Sequence, residues 1–138
     1  MIALEDLKDM TEQEVIDHIA SEYSGKDQYD SPSNAEIKEA KKLISQHEIM
    51  IAYESVGSWG CDSSSFFLLK HKETGKLFEI HGSHCSCYGF EGQLDLEETT
   101  LESLKLRIAK GGSIFYCGGY DENETENQRM ANSFIESL

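Results

Sequence analysis

The chain has 138 residues, 38% of them hydrophobic, which suits one globular domain and excludes a wholly disordered chain. Twenty-six Asp and Glu against 12 Lys and Arg give a formal charge of −14, which argues against direct nucleic-acid binding, because phosphate contacts need clustered bases. No apolar run approaches the ~18–20 residues of a membrane span, and Met1 to Asp6 show no basic segment followed by an apolar one, so neither a membrane anchor nor an export signal is expected.

In chain order, Thr11 is placed to cap a first helix, with Glu14 closing the capping box and Met10 and Val15 as a hydrophobic staple. Val15, Ile16, Ile19 and Tyr23 recur at helical spacing before Ser24-Gly25 ends the segment. A second helix is capped by Ser31, with Pro32 in its first turn, or by Ser33 with Glu36; Ile37, Ala40, Leu43 and Ile44 form its apolar stripe. From Glu48 the period changes to two. Ile49, Ile51 and Tyr53 alternate with Met50, Ala52 and Glu54, as in a strand. Val56 to Asp62 reads as a loop. The apolar runs Phe66–Leu69 and Leu77–Ile80 flank His71 to Lys76, which has the length and the glycine of a hairpin turn.

A third helix is expected after Thr99, with Glu102 in the box position and Leu101, Leu104 and Ile108 on one face, ended by Gly111-Gly112. Ser113 to Cys117 reads as a short strand. Asp121 with Glu124 caps a last helix bearing Met130, Ala131, Phe134, Ile135 and Leu138. The order α-α-β-β-β-α-β-α predicts an α+β fold: a single domain over 1–138, with a helical part at 1–47. The sheet, a Cys/His loop and two helices occupy 48–138, and the sheet is mostly antiparallel with helices packed on it.

The least ordinary stretch is His81-Gly82-Ser83-His84-Cys85-Ser86-Cys87, with Cys61 upstream in the glycine-rich loop. With no export signal the compartment is expected to be reducing, so metal binding, catalysis or burial outranks a disulfide framework. Zinc takes about four thiolate or imidazole ligands. Cys61, His84, Cys85 and Cys87 are the expected shell, with His81 as the substitute for His84 if the strand runs on through it. Four protein ligands make a structural site that fastens loop to sheet. Cys117, on an expected core strand, is left out. The spacing is not that of a zinc ribbon or finger, and buried cysteines beside ordinary histidines are the plain alternative.

Two enzymatic readings compete. One is a Cys–His nucleophile, with Cys85 or Cys87, a base among His71, His81 and His84, and Asp62 or Glu91 as orienter. The other is a catalytic zinc with Glu91 as base. The chain has no HExxH, no deaminase signature and no phosphate loop, and two close thiols suit a metal better than a nucleophile. Catalytic residues are therefore not assigned. Trp59, Tyr88 and Phe90 lie among glycines and can either pack inward or anchor a partner.

His81-Gly82-Ser83-His84-Cys85-Ser86-Cys87-Tyr88-Gly89-Phe90-Glu91-Gly92-Gln93, with Gly60-Cys61-Asp62 before it and Glu97-Glu98-Thr99-Thr100 and Leu104 after it, resembles small uncharacterised proteins of tailed bacteriophages. The resemblance covers roughly residues 50–110. It implies a phage or prophage origin and a bacterial host cytoplasm as workplace. Small acidic phage proteins that inhibit host machinery include anti-CRISPR proteins that block Cas9, and this chain is similar to them in role; no binding residue carries over. The expectation is a zinc-stabilised, non-enzymatic inhibitor whose partner is a host protein with a basic surface, Cas9 or another defence nuclease. It would contact neither nucleic acid nor membrane directly and would hinder target DNA loading. Acidic helix faces from residues 5–30 and 121–136 are the expected contact. The alternatives are an inhibitor of another host system (RNA polymerase, restriction or nucleotide-signalling defence), a small metal or thiol enzyme, and a phage structural protein.

Overall fold

The computed structural model describes residues 1–24, 32–57, 62–85, 90, 92–115 and 124–138. Its elements are β1 (Ile2–Glu5), α1 (Glu12–Tyr23), α2 (Asn34–Ser45), β2 (His47–Val56), β3 (Ser63–His71), β4 (Leu77–His84), β5 (Glu97–Thr99), α3 (Leu101–Ala109) and α4 (Glu124–Glu136). The fold is α+β: one five-stranded sheet in the order β1-β2-β3-β4-β5, with helices packed on it. β1 runs parallel to β2, and every other pairing is antiparallel. A parallel pair needs a long crossover, and the α1–α2 hairpin supplies it.

The helices cover both faces. On the first face, Val15, Ile19 and Tyr23 of α1 and Ala40 and Ile44 of α2 pack against Ala52, Phe67, Leu69 and Ile80. On the second, Leu104 of α3 and Ala131 and Ile135 of α4 pack against Leu4, Ile51, Tyr53, Phe66 and Leu68. A strand covered on both sides is apolar throughout, which is why Phe66-Phe67-Leu68-Leu69 does not alternate.

Local signals place the helices well. Thr11 accepts from Glu14 N and Glu14 reaches back, completing the expected box on α1. Ser33, not Ser31, caps α2, accepting from Glu36 N at 3.2 Å. α3 starts one residue later than expected: Thr100 is its cap and accepts from Ser103 N at 3.1 Å. The hairpin between β3 and β4 closes through His71 N to Lys76 O at 2.8 Å, and Gly75 takes the left-handed φ of +73° that its turn requires.

The helical N-terminal part also carries a strand that the sequence did not announce, Ile2–Glu5, which pairs with residues 51–54. Two strand expectations are corrected. Ile49 and Ile51 do not share a face: Ile49 pairs with Leu69 and Ile51 with Leu68, so a bulge at Met50 moves Ile49 to the first core and Ile51 to the second. Residues 113–115 are not a strand: Ile114 and Phe115 form bends and are buried in the second core, and Tyr116 and Cys117 lie outside the described residues.

Candidate metal centre

The strand register sets the geometry. Val56, Ser63 and His84 lie side by side at one end of the sheet. The loop that contains Cys61 and the loop that contains Cys87 therefore leave the same end, on neighbouring strands. Gly57 N donates to Asp62 O at 2.6 Å and closes the base of the first loop. Gln93 closes the second: its Nε2 donates to Ser83 O at 2.8 Å and its Oε1 accepts from Ser83 N at 2.9 Å. Phe90 is 3% exposed and stacks on Tyr23 with ring centroids 4.7 Å apart, so it is a core residue and not an exposed anchor.

The two histidines of the motif part company. Three residues apart on one strand, they face opposite ways. His84 lies on the first face, its ring 5.5 Å from Phe90, and its Nδ1 is buried without a hydrogen-bond partner among the described residues. An unsatisfied buried polar atom costs about 1–3 kcal/mol and calls for a reason. His81 lies on the second face against Phe66, and its Nε2 sits 3.1 Å from Glu79 Oε1. β4 runs on through both residues, the arrangement in which His81 is the expected substitute, but one ion cannot take both and the His81 Nε2 is already held by Glu79. Cys85 follows directly on β4 and still makes a bridge pairing. Cys61 and Cys87 lie outside the described residues, as do Trp59, Tyr88 and Glu91. Among the described residues no three His, Cys, Asp or Glu side chains converge as a shell. His71 sits at the far end of β3, where its Nδ1 accepts from Glu73 N and Thr74 N at 3.2 and 3.3 Å, so it is not a base for Cys85.

Below His84 the first face is polar and tight. Tyr23 and Ser65 hydroxyls are hydrogen-bonded to each other over Gly82. A Cβ on Gly82 would lie 2.5 Å from both oxygens, so no side chain fits there. Burial, the largest cause, pushes the Tyr23 phenol far up, and it stays protonated.

Two buried carboxylates escaped the sequence reading. Glu54, 5% exposed, meets His18 Nε2 at 2.7 Å. Glu79, 4% exposed, is held by Arg107 through both oxygens at 3.0 and 3.2 Å, and Arg107 also donates to Ile114 O. Burial pushes the Glu79 carboxyl up, but hydrogen bonds from His81 and Arg107 and the Arg107 charge outweigh it and hold it at about 2. A signal for both was present: a lone Glu inside an apolar strand run needs a partner.

No family model, curated protein or solved structure matches the chain. Among the described residues no helix is long and apolar enough to cross a membrane.

Proposed function

We propose that this protein is a non-enzymatic, phage-type inhibitor that binds the basic surface of a host defence nuclease, Cas9 foremost, in the bacterial host cytoplasm. Binding is stoichiometric and hinders the loading of target DNA. The observation that carries the reading is the charge of −14, together with the use the fold makes of its carboxylates. Glu54 and Glu79 are paired inside, while Glu12, Glu14, Glu22, Glu97, Glu98 and Glu102 stand exposed along α1, β5 and α3. Such a surface attracts a basic partner and repels nucleic acid.

A structural zinc held by Cys61, His84, Cys85 and Cys87 keeps the end of the sheet in shape. Its support is the His84 Nδ1, buried and without a hydrogen-bond partner among the described residues, beside the strand end from which the segments bearing Cys61 and Cys87 depart. The ion supplies the missing partner and joins the two loops.

Purified protein is expected to carry one zinc per chain, and a chelator is expected to lower its unfolding temperature, with Cys85→Ser losing both metal and stability. Metal-free protein whose melting ignores the chelator removes the ion. Titration into Cas9 with its guide RNA is expected to give a one-to-one complex that weakens as salt rises. No complex at low salt and micromolar protein removes that target.

A further inference from the structure

We propose that the His47–His71 pair is an acid-released latch: with both rings neutral it ties the end of α2 and the start of β2 to the β3–β4 turn, and proton uptake frees the turn. The two residues are cross-strand partners at the end of the sheet opposite His84, so the device needs neither the metal nor the nuclease. Their rings meet edge to face with centroids 5.0 Å apart, and the Phe78 ring lies 5.5 Å from that of His47. His47 is 2% exposed, and its Nδ1 sits 2.8 Å from Leu43 O at the end of α2. A carbonyl only accepts, so that nitrogen carries the ring proton and Nε2 is bare. His71 Nδ1 accepts from the backbone N–H groups of Glu73 and Thr74, so it is bare and the proton sits on Nε2. The turn is fastened to α2 as well, through Lys72 N to Gln46 O at 3.0 Å.

A second proton has a different consequence at each ring. On His71 it enters at the nitrogen that receives two N–H groups, and both hydrogen bonds are lost. On His47 it places a charge in a buried position against two rings. Burial is the largest cause holding the His47 pKa below its ordinary value; the Leu43 carbonyl opposes it, and the charges of His71 and Lys72 add to it. From α2 and β4, His47 meets the Leu43 carbonyl and the Phe78 ring. Glu48 and Lys70 pair on the other face of the sheet. Lys42 of α2 and Lys72, Glu73 and Lys76 of the turn stand exposed, with Lys76 reaching Glu98 of β5 at 3.6 Å. A histidine whose folded pKa is depressed stabilises the fold above the ordinary 6.5 and loses that contribution as pH falls below it, so the latch is closed at neutral pH and opens on the acid side.

The test follows the whole chain by NMR from about pH 7.5 to about pH 5. At the upper pH, long-range nitrogen spectra of the rings should find the proton on Nδ1 of His47 and on Nε2 of His71. On acidification the amides of Lys72, Glu73, Thr74 and Gly75 should lose protection from hydrogen exchange about tenfold or more, after correction for the intrinsic rate, while Ile51 and Leu68 in the middle of the sheet keep theirs. His71→Asn places an amide oxygen where Nδ1 stood; it accepts the same two N–H groups and does not titrate, so the turn should stay protected throughout the range. His71→Ala should leave the turn unprotected at both ends of the range, with Ile51 and Leu68 reporting that the chain still folds. The proton on Nδ1 of His71 at the upper pH, protection that does not change with pH, or the same loss in His71→Asn overturns the latch. So does a simultaneous loss at Ile51 and Leu68, which is unfolding of the whole sheet.

Discussion

The Glu54 carboxylate sits on the sheet beneath α1 with His18 Nε2 at 2.7 Å. That hydrogen bond is the largest cause raising the His18 pKa; burial opposes it, and the charges of Glu54 and Glu22 add to it. A histidine whose folded pKa lies above its unfolded one stabilises the fold fully below the ordinary value of 6.5, and the gain fades as pH rises through the folded value. His47, pushed down by burial first, works in the opposite sense. The difference between wild type and His18→Gln therefore isolates the pair. Wild type should be more stable by about 1.5–3 kcal/mol near pH 6, with the advantage shrinking toward pH 8.5, read from urea midpoints. A gap that stays constant with pH would show that the imidazole acts only through packing. The pair was not legible in the sequence: His18 and Glu54 are 36 positions apart, and only the crossover of α1 above β2 brings them together.

Side-chain amides finish what the strands leave open. β5 pairs with β4 only at residues 77–79, and beyond it Gln93 satisfies both backbone groups of Ser83. Gln128 does the same from α4, accepting from Ile114 N at 3.3 Å and donating to Phe115 O. Gln93→Ala should cost about 1–2 kcal/mol and speed amide exchange at Ser83, leaving β2 and β3 protected. Unchanged exchange at Ser83 would mean that water or the loop replaces the clamp. The capped helices were readable because a cap and its stripe sit within one or two turns. β1 and β5 were not. Four and three residues carry too little period to announce a strand, and each becomes one only by pairing with a distant segment.

Across the molecule, like charges outnumber opposite ones. The exposed pairs Lys41–Asp17 at 3.2 Å and Lys76–Glu98 at 3.6 Å contribute little in water. Self-repulsion should therefore dominate the response to salt. Raising NaCl from about 0.01 M to about 0.1 M, which shortens the screening length from about 30 to about 10 Å, should raise the unfolding temperature. A fall would mean that attractive pairs outweigh the surplus.

By itself the sequence determined the α+β class, the four helices, the β2–β4 meander and the strong acidity, because these rest on composition and on periods read within short windows. Tertiary structure alone decided that the sheet is covered on both faces and that a bulge at Met50 sends Ile49 and Ile51 to opposite cores. It also decided that β4 runs on through His81 and His84, which puts them on opposite sides. Those facts depend on strand register, and a single extra residue in one strand is enough to change which face a side chain joins.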